Sequence, residues 1–413
     1  MTTDVIIIGG GAAGLLSAVY LKKQNQKLNI RILEALPRVG KKLLLTGNGR
    51  CNISNKNITL SRYHGENVGF AEYALNRYNL EFTQAFFEDI GVDFVFEGDK
   101  AFPASLQAGA VVDCLRFAAE ELGVLIHTDT KVTNIQVFKK GYRVWCDKLS
   151  FVADTVVIAA GLFSGGYKCG SDGSMFELLK KAGFKTVKTT PAIVQLKTEN
   201  DVVKQLKGIK LDALATLYNE SKTVRQEFGE ILFCDYGLSG PAVMQLSREV
   251  PRNKNSMTLS LDIMPEISLC DLEKKLTKRV KSLSDRPLEE FFTGLLNKRV
   301  GQVILKQCGC KLTEAAKTLD NGKIKLISKT VKSFDFKVLD TTGFINSQVT
   351  AGGISTDEFI PETMQSKNYE NFYAVGEILD IDGDCGGFNL QWAWSSAFCA
   401  ADDILRKYND NNK

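Results

Sequence analysis

Apolar residues gather first in DVIII, Asp4–Ile8, a β-branched run of the length of a buried strand. The chain then passes through Gly9-Gly10-Gly11-Ala12-Ala13-Gly14 into LLSAVYLKK, where apolar positions recur at helical spacing. That order predicts strand, tight turn and helix, and IRIL adds a second short strand ending at Glu34. TVVIAAGLFSGG, residues 155–166, repeats the form as a buried strand running into small residues. After Pro191 the pattern changes to short strand-like runs, AIVQL, ATLYN and MTLSLDI, separated by polar turns. From Leu269 it turns helical, with apolar positions three and four apart in LCDLEKKLTKRVKSL, PLEEFFTGLLNKRVGQVILKQ, EAAKTLD and GKIKLISKTVKSF. FDFKVLD then resumes a strand ahead of Gly352-Gly353, FYAV is another, and a long helix closes the chain. The pattern predicts an α/β fold in which 191–334 interrupts a domain made of 1–190 and 335–413. Within the interruption, strands are expected over about 191–265 and helices over about 266–334.

Composition adds limits. At ~150 residues per domain, 413 residues suggest two or three domains, each able to bury a core unaided. Hydrophobic residues at 44% and charged residues at 24% match an ordinary globular protein. The net charge is +4 with the basic residues dispersed, which gives nucleic-acid binding little support. The N-terminal residues show no basic segment leading into an apolar one, and no stretch of about 18 apolar residues occurs, so no membrane role and a cytoplasmic location are expected. Ten cysteines lack a repeated spacing and read as reduced residues; Cys308-Gly309-Cys310 is CxC, not a redox CxxC. With only His64 and His127 available, no metal site is expected.

The opening unit carries the chemistry. Gly9 permits a sharp turn, Gly11 lets backbone approach a pyrophosphate, and Gly14 allows close packing of helix on strand. The anion would meet the amides of Ala12, Ala13 and Gly14 at the helix N-terminus. Glu34, twenty residues beyond Gly14, can accept both hydroxyls of a ribose and disfavours a 2′-phosphate. A second cluster near the C-terminus, Gly376 to Leu390, places Asp380 after a strand-ending glycine, where an acid could bind a polyol chain. Gly386-Gly387-Phe388-Asn389 then opens a helix whose amides could face an electron-rich ring. Two such ends suit FAD, which is long enough to need both.

Three stretches resemble one family, the bacterial YhiN-like and BaiN-like flavoproteins. They are GKKLLLTGNGRCNISN, the pair GEILFCDYGLSGPAVMQLS and VTAGGISTDEF, and GEILDIDGDCGGFNLQWAWSSA. The resemblance covers nearly the whole chain. It implies FAD, a Rossmann-type FAD-binding domain built from both chain ends, and an inserted region with a small β-barrel and a helical portion. Expected cofactor contacts in the first half are Lys42, Asn48, Gly49, Val132, Ala160 and Gly161, beside the glycine loop and Glu34. In the second half they are Gly376, Glu377, Asp380, Gly387, Asn389 and Leu390.

Several residues near these motifs stay open. Lys42 would offset pyrophosphate charge. Cys51 invites a redox role, yet no resolving cysteine lies two or three residues away. Lys100–Ser105 reads as a turn set by Pro103, and of Trp392 and Trp394, spaced by two, at most one can cover a cofactor. No second complete GxGxxG occurs, so NADH or NADPH is expected only as a transient co-substrate. The expected activity is an FAD-dependent, NAD(P)H-linked reductase or dehydrogenase of a small organic substrate with an activated C=C or carbonyl. The alternatives are a flavin oxidase of an amine or hydroxy acid, and an FAD-binding accessory protein in RNA modification. No catalytic acid or oligomeric state can be chosen from the sequence.

Overall fold

The computed structural model describes residues 3–138, 140–147, 149–252 and 257–411. They form two compact units. One takes in the chain up to Pro191 and again from Phe344; the other is Ala192–Gly343.

Strand β1 (Thr3–Ile8) lies at the centre of the first unit's sheet, and Val5 to Ile8 are all buried. A strand covered on both faces has no polar side to show, which is why the sequence there is continuously apolar. Helix α1 (Ala12–Gln24) carries the chain over to β2 (Ile30–Leu33), parallel to β1. The short β3 (Tyr63–His64) lies outside this sheet. β4 (Leu125–His127) extends the parallel sheet beyond β2. A hairpin of β5 (Val132–Val137) and β6 (Tyr142–Cys146) pairs antiparallel with the first half of β7 (Ser150–Ile158), whose length also aligns it parallel to β1.

The second unit is a closed six-stranded barrel with helices in its connections. Its strands are β8 (Leu196–Thr198), β9 (Lys210–Asn219), β10 (Lys222–Phe233), β11 (Gly237–Ser239), β12 (Met257–Asp262) and β13 (Phe334–Thr341), in the order β8-β11-β10-β9-β12-β13. Between β12 and β13 come α2 (Leu269–Ser282), α3 (Lys298–Gln307) and α4 (Asn321–Lys332). Side chains of Ser268, Asn297 and Asp320 accept hydrogen bonds from first-turn amides and set where each helix starts. Two stretches that read as helical are single 3₁₀ turns, Leu288–Glu290 and Ala316–Thr318, and the Asn297 cap delays α3.

The barrel also moves a boundary. The sequence pattern ends the insertion at 334, whereas β13 buries Phe334, Phe336 and Val338 inward, pairs with both β12 and β8, and so closes the barrel. Without it two edges would be left unpaired. Alternation along FDFKVLD announces a strand, but not whose edge it covers.

The chain re-enters the first unit at Phe344. β14 (Val349–Ile354) is fully buried, and β15 (Phe372–Ala374) runs parallel to the second half of β7. β16 (Asp382–Gly383) pairs antiparallel with β3. The closing helix is α5 (Phe388–Asn411). Trp392 and Trp394 point to different places and both are core: their indole N–H groups donate to the carbonyls of Gly376 (3.1 Å) and Ile53 (3.0 Å). Among the described residues no helix is long and apolar enough to cross a membrane.

The seam between α1 and β1 is the least forgiving place. A Cβ on Gly14 would stand 2.0 Å from the Gly9 carbonyl oxygen. Gly14→Ala is therefore expected to destabilise the apoprotein by more than about 2 kcal/mol. Thermal unfolding checks this, and an unchanged Tm would contradict it.

Candidate functional site

The glycine turn sorts its residues into those that must be small to pack and one that is small for another reason. Gly9 has φ +105°, and a Cβ there would lie 2.5 Å from the carbonyl oxygen of Ala159, just past the end of β7. This contact holds the turn against Ala159 and Ala160. Gly11, by contrast, has φ −81°, and a Cβ placed on it would meet no atom within 4 Å. Its face is open. Gly11 is also the N-cap of α1, with no side-chain cap and no acidic residue in the first turn. The first amides of α1 are thus left facing open space at the positive end of the helix, which suits an anion.

Glu34 sits on the lip of this turn. Its Oε2 accepts from the Gly10 N–H (2.8 Å) and its Oε1 from the Leu36 N–H (2.9 Å). Burial pushes its carboxyl above the ordinary value, and the two amides pull in the other direction. Its carbonyl accepts from the Thr130 N–H (2.8 Å), two residues before Val132, so Val132 at the start of β5 is brought towards the same corner. Gly161, at φ +64°, likewise faces open space.

The far end of the chain meets this corner directly. Gly376 has φ +72°, and a Cβ on it would lie 3.3 Å from the Ala13 Cβ. Its N–H donates to Ser396 on α5 (2.9 Å). The next residue, Glu377, pairs with Lys42, which also donates to the Ser164 hydroxyl. Ser164 Oγ and the Thr350 N–H both donate to Glu377 Oε1, at 2.5 and 2.9 Å. Thr350 Oγ1 in turn accepts from the N–H groups of Phe163 and Ser164 (3.1 and 3.0 Å). Lys42, read from the sequence as a counter-charge for a pyrophosphate, has the Glu377 carboxylate as its partner within the protein. Lys42 and Glu377 side chains are 28% and 18% exposed, so the pair contributes about 1 kcal/mol at most. Ser164 and Thr350 were missed by the sequence reading, and nothing beyond their nearness to glycine-rich segments marks them.

Beyond Glu377 the segment to Leu390 is tied down at many points. Asp380 is buried and its Oδ2 accepts from the Glu66 N–H (2.8 Å). Asn389 closes the loop on itself: its Oδ1 accepts from the Gly383 N–H (2.8 Å) and its Nδ2 donates to the Gly383 carbonyl (2.7 Å). A Cβ on Gly387 would stand 2.4 Å from the Ser54 carbonyl oxygen and 2.9 Å from Asn52 Oδ1. The Thr46–Asn52 loop is therefore held beside the start of α5, where Leu390 is half-buried. Within that loop Asn48 and Gly49 adopt φ of +56° and +83°, and Gly49 faces open space. Arg50 pairs with Glu97 and lies 4.5 Å from the Phe102 ring centroid. Phe102 belongs to the strand Lys100–Pro103, paired with Phe94–Glu97, where the sequence suggested a turn.

Cys51 is fully buried, and burial pushes its thiol up to about 12. The thiolate is then scarce at physiological pH, which speaks against the redox role. Cys308 and Cys310 are buried too, and none of the ten cysteines is in a disulfide.

These residues fit FAD. An uncapped helix end with an open glycine face would take the pyrophosphate, Glu34 the ribose, and the Glu377–Asp380 segment with the start of α5 would take the remainder. Two outcomes follow. Gly11→Ala should leave the apoprotein's Tm within about a degree of wild type but weaken FAD binding at least ~10-fold in a fluorescence titration, since only a ligand occupies the space its methyl would enter. Iodoacetamide on the native protein near pH 8 should label the exposed Cys270 and leave Cys51 unmodified by peptide mass mapping; fast labelling of Cys51 would contradict its burial.

The chain's likenesses agree with this geometry. The HI0933-like protein Rossmann domain matches residues 3–403. The 3-dehydro-bile acid delta(4,6)-reductase of Clostridium scindens is 32% identical over 95% of this chain and 97% of its own. The ribosomal RNA dihydrouridine synthase of Haemophilus influenzae is 26% identical over 98% and 99%. Among solved structures, the quinol fumarate reductase FrdA of E. coli aligns with 98% of this chain and 70% of its own at 13% identity, with a TM-score of 0.50. The chain belongs to the HI0933-like Rossmann family and is an oxidoreductase with the fold of the FAD-dependent enzymes.

Proposed function

We propose that this protein is an FAD-dependent reductase that takes hydride from NADH or NADPH and delivers it to a carbon–carbon double bond conjugated with a carbonyl in a small organic substrate. The observation that carries this reading is the full-length likeness to a bile-acid reductase, joined to a site whose two halves come from the two ends of the chain. The more distant relative points to the same bond: dihydrouridine is uridine with the ring double bond beside its carbonyl saturated.

Bound at this site, FAD would supply a two-electron carrier that accepts and returns hydride. The rest is the protein's share. The first amides of α1 hold the pyrophosphate, and Glu34 accepts the ribose hydroxyls while still engaged with the Gly10 and Leu36 amides. Glu377, fixed by Lys42, Ser164 and Thr350, offers a carboxylate of set orientation to the polyol chain, with Asp380 beside it. Asn48 and Gly49 present backbone to the ring from one loop. Gly387, Asn389 and Leu390 bring the first turn of α5, which carries no acidic residue, to favour negative charge on the ring. With no second complete GxGxxG, the nicotinamide would bind transiently against the ring. The cytoplasm is the proposed location.

The RNA-modification alternative is not favoured: the relatives named for ribosomal RNA stand at 26% identity, the bile-acid reductase at 32%. Anaerobic stopped-flow absorbance tests the proposal. NADH or NADPH should bleach the flavin, and a carbonyl-conjugated alkene should restore its colour. If neither nicotinamide reduces the flavin while an amine or hydroxy acid does so fast, the protein is an oxidase and the reductase reading is lost.

A further inference from the structure

The segment between Asp380 and the start of α5 is zipped to a second stretch of chain, residues 62–66, that no motif singled out. In the β3–β16 ladder His64 stands opposite Asp382 and Tyr63 opposite Gly383. Gly65 packs backbone to backbone on Asp380, the Asp384 N–H donates to the Arg62 carbonyl (2.8 Å), and the Tyr63 hydroxyl donates to the Phe388 carbonyl (3.0 Å). The ladder places one of the chain's two histidines between the two places where the proposed cofactor would be gripped, Glu377–Asp380 on one side and Gly387–Leu390 on the other.

The His64 ring is held in place by a carboxylate. Its Nε2 lies 2.8 Å from Oδ1 of Asp384, whose side chain is 4% exposed, and Arg62 Nη1 reaches the other oxygen at 3.4 Å. A buried carboxylate on one ring nitrogen fixes the ring's direction. The His64 side chain itself is 22% exposed. The charged residues along these two stretches include Asp384, Arg62, Glu66, Asp382 and Asp380. His127, in contrast, lies beside Arg31, and burial followed by that charge lowers its pKa, so it holds a proton less readily.

We propose that His64, oriented by Asp384, is the proton donor of the reductive step. This rests on the reductase reading above. Hydride adds to the β-carbon of the conjugated alkene, its electron pair making the new C–H bond. The π pair shifts towards the carbonyl and collects a proton at the α-carbon from His64 Nδ1–H. The neutral imidazole keeps its Nε2–H on Asp384 and recovers the lost proton from water. The alkene is reduced by two electrons, and NADH or NADPH is the reductant that restores the cofactor.

The test compares the FAD-loaded full chain with His64→Gln and Asp384→Asn. Each protein is reduced anaerobically with dithionite, then mixed with an alkene that oxidises the wild type, or with ferricyanide, which needs no carbon protonation. His64→Gln is expected to slow oxidation by the alkene about 100-fold or more, with ferricyanide oxidation and reduction by the nicotinamide within about twofold of wild type. Asp384→Asn is expected to fall between. Wild-type alkene rates in His64→Gln, an equal loss with ferricyanide, or loss of the flavin spectrum in both variants would each overturn the assignment and leave the pair as a structural strut. If no conjugated alkene oxidises the reduced wild type, the reductase reading fails first and this inference falls with it.

Discussion

How closely α1 approaches the strands beneath it decides the rest of the nucleotide-binding unit. Gly14 rests on the carbonyl of Gly9, and Gly9 rests on the carbonyl of Ala159. These are backbone-to-backbone contacts with no side chain to yield, so a single methyl would push helix and strand apart. The same closeness leaves the first amides of α1 at the carboxyl end of the central strand, uncapped and beside an open glycine face. Packing and anion binding are one constraint here: the helix end is left unsatisfied by protein because it is held where something else can satisfy it.

The C-terminal segment depends on that arrangement. Gly376 meets Ala13 in the first turn of α1, and from this contact the chain runs on through Glu377 and Asp380 to the start of α5. The parallel pairing of β15 with β7 makes the meeting possible, since it returns the chain to the same end of the sheet. A closed barrel and its helices occupy the sequence between, and the barrel strands pair only with one another. The insertion can therefore vary while the sheet and its glycine contacts stay fixed.

Much of this is legible in the sequence because it rests on local chemistry. A buried parallel strand must be apolar throughout, a turn at φ +105° needs glycine, and a carboxylate after the second strand falls beside the turn wherever strand, helix and strand have these lengths. What escapes is chemistry that arises only from pairing. Ser164 and Thr350 look like ordinary small polar residues until β7 and β14 place them on Glu377. His64 and Asp384 are far apart in sequence and become partners through a ladder of two residues on each side. Lys100–Pro103 contains a proline and reads as a turn, yet that proline lies at a strand end, where its missing N–H is tolerated. The placement of FDFKVLD fails for the same reason, since periodicity reports a strand's faces and not its neighbours.

The central claim is that the two ends of the chain together hold one FAD. The most direct measurement is to release the bound flavin by heat from protein purified without added cofactor, identify it by chromatography and count it against the chain. The account predicts FAD at about one per chain, released in the same transition that unfolds the nucleotide-binding unit. FMN in its place, or a colourless protein that takes up no FAD when it is supplied, would contradict it.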